Sequence, residues 1–312
     1  MFLGGCINLL KPAGMTSHDG VYFFRRLSGI KRVGHAGTLD PMATGVLPLL
    51  VGNATRMMEY LDIDDKEYRC EMILGVITDT QDIWGNVLED NRNNIKDISE
   101  EQILKTFEKY NGEILQTPPS MSAVRVKGKR LYEYSREGEQ VEIKPRSAII
   151  RSLRVLTIDF SRGRIIFDIR CSKGTYIRTI CHDVGEELGC GASMSFLVRK
   201  MSGAFNLENS STLEEIKENW ESLILPLDFP LEQFGRIKIQ PEREKWFSNG
   251  GYLRSKEVEV LRKPTVNINS KLRIKKEGIN NAFNVYCQDR FLGVAIFDTK
   301  KGIYLADKVF CK

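Results

Sequence analysis

Histidine is scarce in this chain, with 3 residues in 312, and His18, His35 and His182 stand far apart. No His-x-x-x-His or Glu-x-x-His spacing occurs, so a built-in metal centre is not expected. The 7 cysteines are odd in number and contain no Cys-x-x-Cys. That pattern argues against both a disulfide framework and a zinc site, and Cys171, Cys181 and Cys190 read as buried reduced thiols. Long apolar runs are missing as well. The uncharged stretch from Pro41 to Thr55 falls short of the roughly 20 residues a membrane helix needs, and Pro48 and Gly52 interrupt it. The apolar start lacks a basic leader and a cleavage site, so a cytoplasmic protein is expected. A G-x-x-x-x-G-K-[ST] phosphate loop and a G-x-S-x-G nucleophile elbow are both absent.

What is present is ordinary for a globular protein: 42% hydrophobic and 28% charged residues, over a length that suggests two domains. Charge is unevenly spread. Residues 231 to 312 hold 17 basic and 9 acidic side chains, whereas residues 1 to 230 hold 29 and 32. A basic carboxyl-terminal segment is a weak pointer to a phosphate-rich partner.

Local patterning gives a coarse map. "HDGVYFFRRLSGIKRVG" spaces Val21, Phe24 and Leu27 as one helix face, with Ser17 as its cap. "GVLPLLVG" reads as a buried strand, and "NATRMMEYL" as a helix capped by Asn53. "KEYRCEMIL" alternates like a strand and begins a hairpin with a polar connection, "TDTQDIWG". Ser99 opens a helix that ends near Asn111-Gly112. Two alternating strands then meet at a Ser-Arg-Gly turn, a helix covers Thr179 to Leu188, and the tail after about Phe229 contains the strands "RFLGVAIF" and "GIYLADKVF".

One carboxylate is conspicuous. Between Gly20 and Met58 the chain carries Arg25, Arg26, Lys31, Arg32 and Arg56 but a single acid, Asp40, in the loop-like "GHAGTLDPMATG". An anion among cations can serve as a nucleophile or base, and Pro41 biases it towards extended backbone. A capping or turn aspartate is the competing reading. From Arg125 to Arg154 there are nine basic residues against four acidic ones, with Tyr132 and Tyr134 interleaved. This mixture suits phosphate contact with stacking, or else a solvated charged face.

Five ordered segments carry a resemblance: "LLKPAGMTSHD", "GHAGTLDPMATGVLPLLVGNATR", "KEYRCEMILGVITDTQDIWG", "PPSMSAVRVKGKRLYEYSREG" and "CSKGTYIRTICHDVGEELGCGA". Together they resemble the TruB-type tRNA pseudouridine synthases over nearly the whole chain. The resemblance implies an α+β fold: a catalytic domain, residues 1–230, with a mixed, largely antiparallel central sheet flanked by helices, and a small PUA-like β-barrel, residues 231–312. It implies isomerisation of a uridine in the T loop of tRNA, position 55, by base flipping, in a monomer with no cofactor, metal or membrane.

Residue by residue, Asp40 corresponds to the nucleophile, Arg178 to its charge partner, and Tyr68 to the residue that stacks on the flipped base and helps remove the C5 proton. Tyr176 and Leu197 match positions lining the uracil pocket. His35 matches a residue that fills the gap left by the base, and Lys11 lies close to the same site. Arg125, Lys127, Lys129 and Arg130 fall in a segment, about 120–150, similar to an RNA-gripping insertion. Met121 stands there where an aromatic is common, and Arg125 replaces a frequent lysine. A non-catalytic tRNA-folding protein, or a synthase for another RNA, remains the alternative.

Overall fold

The computed structural model describes residues 3–61, 65–265 and 282–311. Its first strand, β1 (Gly4–Lys11), leads to helix α1 (Ser17–Ser28). Thr16, not Ser17, caps α1, exchanging bonds with Asp19 in a capping box, while Ser17 turns inward to a neighbouring loop. Strands β2 (Val33–His35) and β3 (Thr44–Gly52) flank the Asp40 loop. The expected Asn53-capped helix is instead a 3₁₀ turn, Asn53–Met57, preceded by Gly52 and followed by the one-turn α2 (Met58–Leu61). Gly52 has a positive φ and no side-chain oxygen to offer as a cap.

Strand β4 (Lys66–Leu74) buries Tyr68, Cys70 and Met72 and turns Arg69 outward, the period-2 pattern of a strand with one covered face. The hairpin β5 (Val76–Thr78) and β6 (Val87–Asp90) brackets the polar loop. Next come α3 (Glu100–Glu108), capped by Ser99 and Gln102, and β7 (Gly112–Gln116). A two-stranded excursion, β8 (Arg125–Val126) and β9 (Lys129–Arg130), runs into α4 (Leu131–Arg136). Strands β10 (Arg146–Asp159) and β11 (Arg164–Cys171) pair antiparallel around the Ser-Arg-Gly turn. Helix α5 begins at Ile177, two residues earlier than its sequence pattern suggests, and ends at Glu187. Strands β12 (Ala192–Ser202) and β13 (Phe205–Asn206) and helix α6 (Leu213–Leu223) complete this part.

The resulting nine-stranded sheet has the order β1-β3-β12-β4-β11-β10-β7, with β2 on β3 and β13 on β12. Every pairing is antiparallel except β3 with β12, so the sheet is mixed and largely antiparallel as expected. That parallel junction matters most. It sets the β2–β3 unit that flanks the Asp40 loop against β12, with Gly45 opposite Arg199, and β12 in turn sets Arg199 opposite Tyr68 on β4. A Cβ at Gly45 would stand 2.2 Å from the Arg199 carbonyl oxygen, so only glycine allows the strands this close.

The tail supplies β14 (Gly235–Ile239), α7 (Pro241–Ser248), β15 (Leu253–Arg254), β16 (Val258–Arg262), β17 (Ala282–Cys287), β18 (Arg290–Asp298) and β19 (Ile303–Val309). They form a six-stranded sheet in the order β15-β19-β18-β17-β14-β16, the small β domain that was expected. Its core joins the first part: Met57 and Tyr60 pack with Phe234, Val294 and Phe310 in one buried cluster. Arg56 donates to the Val309 carbonyl, and Lys308 donates to the Arg56 carbonyl, at 2.7 Å each. All seven cysteines are free thiols, and Cys171, Cys181 and Cys190 are buried as expected.

Candidate active site

The loop between β2 and β3 is held from several sides. Ser17 accepts from the Leu39 amide at 2.8 Å and donates back to its carbonyl at 3.0 Å. The Gly14 amide donates to the Pro41 carbonyl at 2.9 Å, and the Ala43 amide closes a turn on the Asp40 carbonyl. Asp40 thus projects from a fixed backbone, with its side chain about a third exposed (36%).

Arg178 approaches from the first turn of α5. Its Nη2 lies 3.5 Å from Asp40 Oδ2 and its Nη1 lies 3.5 Å from Asp82 Oδ2. The same guanidinium donates to the Met121 carbonyl at 2.7 Å and the Thr80 carbonyl at 3.4 Å. The arginine side chain is almost wholly buried (6% exposed), so its charge is matched inside the protein and not by bulk water. Two clamps fix that turn of α5. Gln116 exchanges bonds with the Tyr176 backbone at 2.8 and 2.9 Å, and Thr179 donates to Gln81 Oε1 at 2.8 Å. Asp82 accepts from Thr80 Oγ1 and the Trp84 amide at 3.0 Å each. Burial raises its carboxyl above the usual range, against the pull of those two donors and of Arg178.

Tyr68 is buried beside these groups. Burial raises its phenol, Arg199 opposes that rise, and the Asp40 charge adds to it, so hydroxyl and carboxylate share one local field. Lys11 is fully buried and donates to the carbonyls of Pro12, Met15 and Pro41. Burial pushes its ammonium down to about 8, with Asp40 pulling the other way. His35 is half-buried on β2, and burial, helped by Arg199 and His18, lowers its imidazole. Leu197 is buried on β12, two residues before Arg199. Tyr176 is half-buried at the start of α5.

The structure therefore brings Asp40, Arg178, Tyr68 and Lys11 into one electrostatic unit, with Leu197 and Tyr176 on the flanking elements. The chain meets there two residues that the sequence pattern did not mark. Asp82 lay in a stretch that read only as a turn. Arg199 is an arginine inside an alternating strand, and it is fully buried (0% exposed). A charged residue on the apolar face of β12 was the available signal for it.

The basic excursion differs from its residues one by one. Arg125, Lys127 and Arg130 are exposed. Lys129 bonds Glu137 and lies 4.7 Å from the Tyr134 ring centroid, so its charge is already engaged within the excursion. Arg130 and Arg136 both stack near Tyr132, at 5.8 and 5.3 Å. The excursion touches the Asp40–Arg178 pair through the Met121 carbonyl, which accepts from Arg178.

Two family models cover much of the chain: the TruB family pseudouridylate synthase N-terminal domain over residues 25–177, and the tRNA pseudouridylate synthase B C-terminal domain over 178–232. Among curated relatives, tRNA pseudouridine synthase B of Clostridioides difficile (strain 630) is 42% identical over 92% of each chain. The chain belongs to the TruB family of pseudouridylate synthases. The like-named protein of Moorella thermoacetica (strain ATCC 39073 / JCM 9320) is 49% identical over 79% of this chain and 82% of its own. A solved Cbf5-Nop10-Gar1 complex contains a chain of the same fold, with a TM-score of 0.72 and 26% identity over 98% of this TruB-family chain and 84% of that one. The border between the two TruB models falls at Ile177–Arg178, inside α5, so the arginine beside Asp40 begins the second model. Among the described residues no helix is long and apolar enough to cross a membrane.

Proposed function

We propose that this pseudouridine synthase acts in the cytoplasm, as a monomer, on a uridine in the T loop of tRNA at position 55, with Asp40 as its covalent nucleophile. The observation that carries the reading is the ion pair between a partly exposed carboxylate and a buried arginine, in a chain whose curated relatives are named tRNA pseudouridine synthases. A paired carboxylate is held as an oriented anion, which is the state a nucleophile needs.

The target uridine is stacked inside a folded loop, so it is extruded into the site at a cost of a few kcal/mol, which stacking on Tyr68 offsets. Asp40 attacks the base or the sugar, and the bond between N1 and the sugar C1′ breaks. The base turns, C5 bonds to C1′ while the bond to Asp40 breaks and returns the free carboxylate, and the C5 proton leaves, with the Tyr68 hydroxyl taking part in its transfer, as N1 takes up a proton. Leu197 and Tyr176 line the pocket, His35 occupies the gap left by the base, and Lys11 supports the loop. Residues 1–230 perform the chemistry and 231–312 bind RNA.

Incubation of the purified protein with an unmodified tRNA transcript, followed by mapping of pseudouridine, tests the reading. A new pseudouridine at position 55 is expected. Modification of a ribosomal RNA fragment in preference to tRNA would overturn the substrate assignment. The exposed cations Arg125, Lys127 and Arg130, joined by those of the tail, are assigned to phosphates. With three or four such contacts, affinity for tRNA falls by roughly ten- to a hundredfold for a fourfold rise in salt. A filter-binding titration at several salt concentrations checks this, and a flat response contradicts it.

A further inference from the structure

Arg199 is the largest fully buried side chain in the described residues, and it spends its guanidinium on the nucleophile loop. Nε donates to the Val46 carbonyl at 2.7 Å, Nη2 to the Gly37 carbonyl at 3.1 Å and Nη1 to the Thr38 carbonyl at 3.3 Å. Gly37 and Thr38 lie three and two residues before Asp40, and Val46 lies just inside β3. The guanidinium therefore bridges both arms of the loop that projects the nucleophile. It also neighbours the Tyr68 hydroxyl, since Arg199 and Tyr68 stand opposite each other on β12 and β4.

The backbone is built to admit it. Gly37 has φ +87°, a conformation costly for other residues, and a Cβ there would come within 3.5 Å of Arg199 Nη1 and 3.3 Å of Lys66 Cε. Gly45, on the far arm, lies against the Arg199 backbone. Gly45 thus makes room for the Arg199 backbone, and Gly37 supplies the left-handed turn whose carbonyl the guanidinium reaches. A planar guanidinium can serve several fixed carbonyls in different directions at once, whereas a lysine ammonium acts from one point.

We infer that Arg199 is a positioning residue for the isomerisation: its guanidinium fixes the backbone that aims Asp40 and sets the Tyr68 hydroxyl relative to that carboxylate. The inference rests on Asp40 being the nucleophile and deepens that reading. It assigns Arg199 no contact with substrate. Loss of the side chain should therefore slow the chemical step and leave the RNA-gripping surface unchanged.

The test uses the full-length enzyme with Arg199→Lys and Arg199→Ala, read by single-turnover pseudouridine formation, tRNA affinity and thermal melting. The rate constant should fall by at least about a hundredfold in Arg199→Ala and by a smaller factor in Arg199→Lys, with tRNA Kd within about threefold of the parent. Added methylguanidinium should restore part of the rate to Arg199→Ala and leave the parent enzyme unaffected, a response that a general loss of packing does not give. If Arg199→Ala fails to fold, Arg199→Lys decides: a tenfold or larger loss at unchanged melting temperature supports the inference, and a parental rate overturns it. Parental rates in both variants also overturn it, as does a rate loss that methylguanidinium leaves untouched and that tracks melting alone. Activity in Asp40→Asn would remove the nucleophile reading itself, whereas an inactive Asp40→Asn beside fully active Arg199 variants would remove the positioning role alone.

Discussion

Asp40→Asn is expected to abolish pseudouridine formation, by at least about four orders of magnitude in the single-turnover rate constant, while tRNA Kd stays within about threefold. The amide matches the carboxylate in size, and Asp40 is held by its backbone and not by side-chain packing, so the fold has no reason to change. What disappears is the anion 3.5 Å from Arg178 and with it the ability to form the covalent bond. Release of tritium from C5-labelled uridine in the transcript follows the reaction sensitively. A residual rate within tenfold of the parent would rule out Asp40 as the nucleophile.

Arg178→Met should damage both stability and rate, and the two effects can be separated. Removing the guanidinium leaves the Asp82 carboxylate buried without its cation, a situation that typically costs about 3–5 kcal/mol. Asp82 already has its carboxyl raised by burial, and loss of Arg178, which lowers it, raises it further. An acid whose folded pKa exceeds its unfolded value destabilises the fold wherever it is ionised. The deficit of Arg178→Met is therefore full above the folded pKa of Asp82 and shrinks as pH falls through it. Denaturant melts at neutral and mildly acidic pH should show that convergence with the parent. Adding Asp82→Asn should return most of the lost stability at neutral pH without returning activity, because Asp40 still lacks its partner. Full activity in the double variant would show that Arg178 serves only the fold.

The two variants probe parts of the site that were unequally legible in the sequence. Asp40 stood out through local chemistry, one acid in a basic stretch framed by glycines, while its proposed role and those of Tyr68 and Arg178 came from the family resemblance of the motifs around them. Strand β4 and helices α1 and α3 could be read because a covered face imposes its period on the chain and because Ser99 carries its cap signature. Asp82 and Arg199 could not, since their meaning comes from partners nearly a hundred or more residues away, brought close by strand order and register. No local pattern specifies that β12 inserts between β3 and β4. The expected Ser17 cap failed for a simpler reason: Ser17 and Thr16 are both competent caps, and the tertiary bond to Leu39 decides which is free for that task.

The seam between the two sheets has a consequence for how the chain is made. Met57 and Tyr60 follow directly on β3, yet the side chains that cover them, among them Val294 and Phe310, lie near the opposite end of the described residues. During synthesis the turn beyond β3 is left with an oily flank until β18 and β19 emerge. Nascent chains of this enzyme are thus exposed to sticking in the long interval when the amino-terminal sheet is written but the late residues that cover its flank are not.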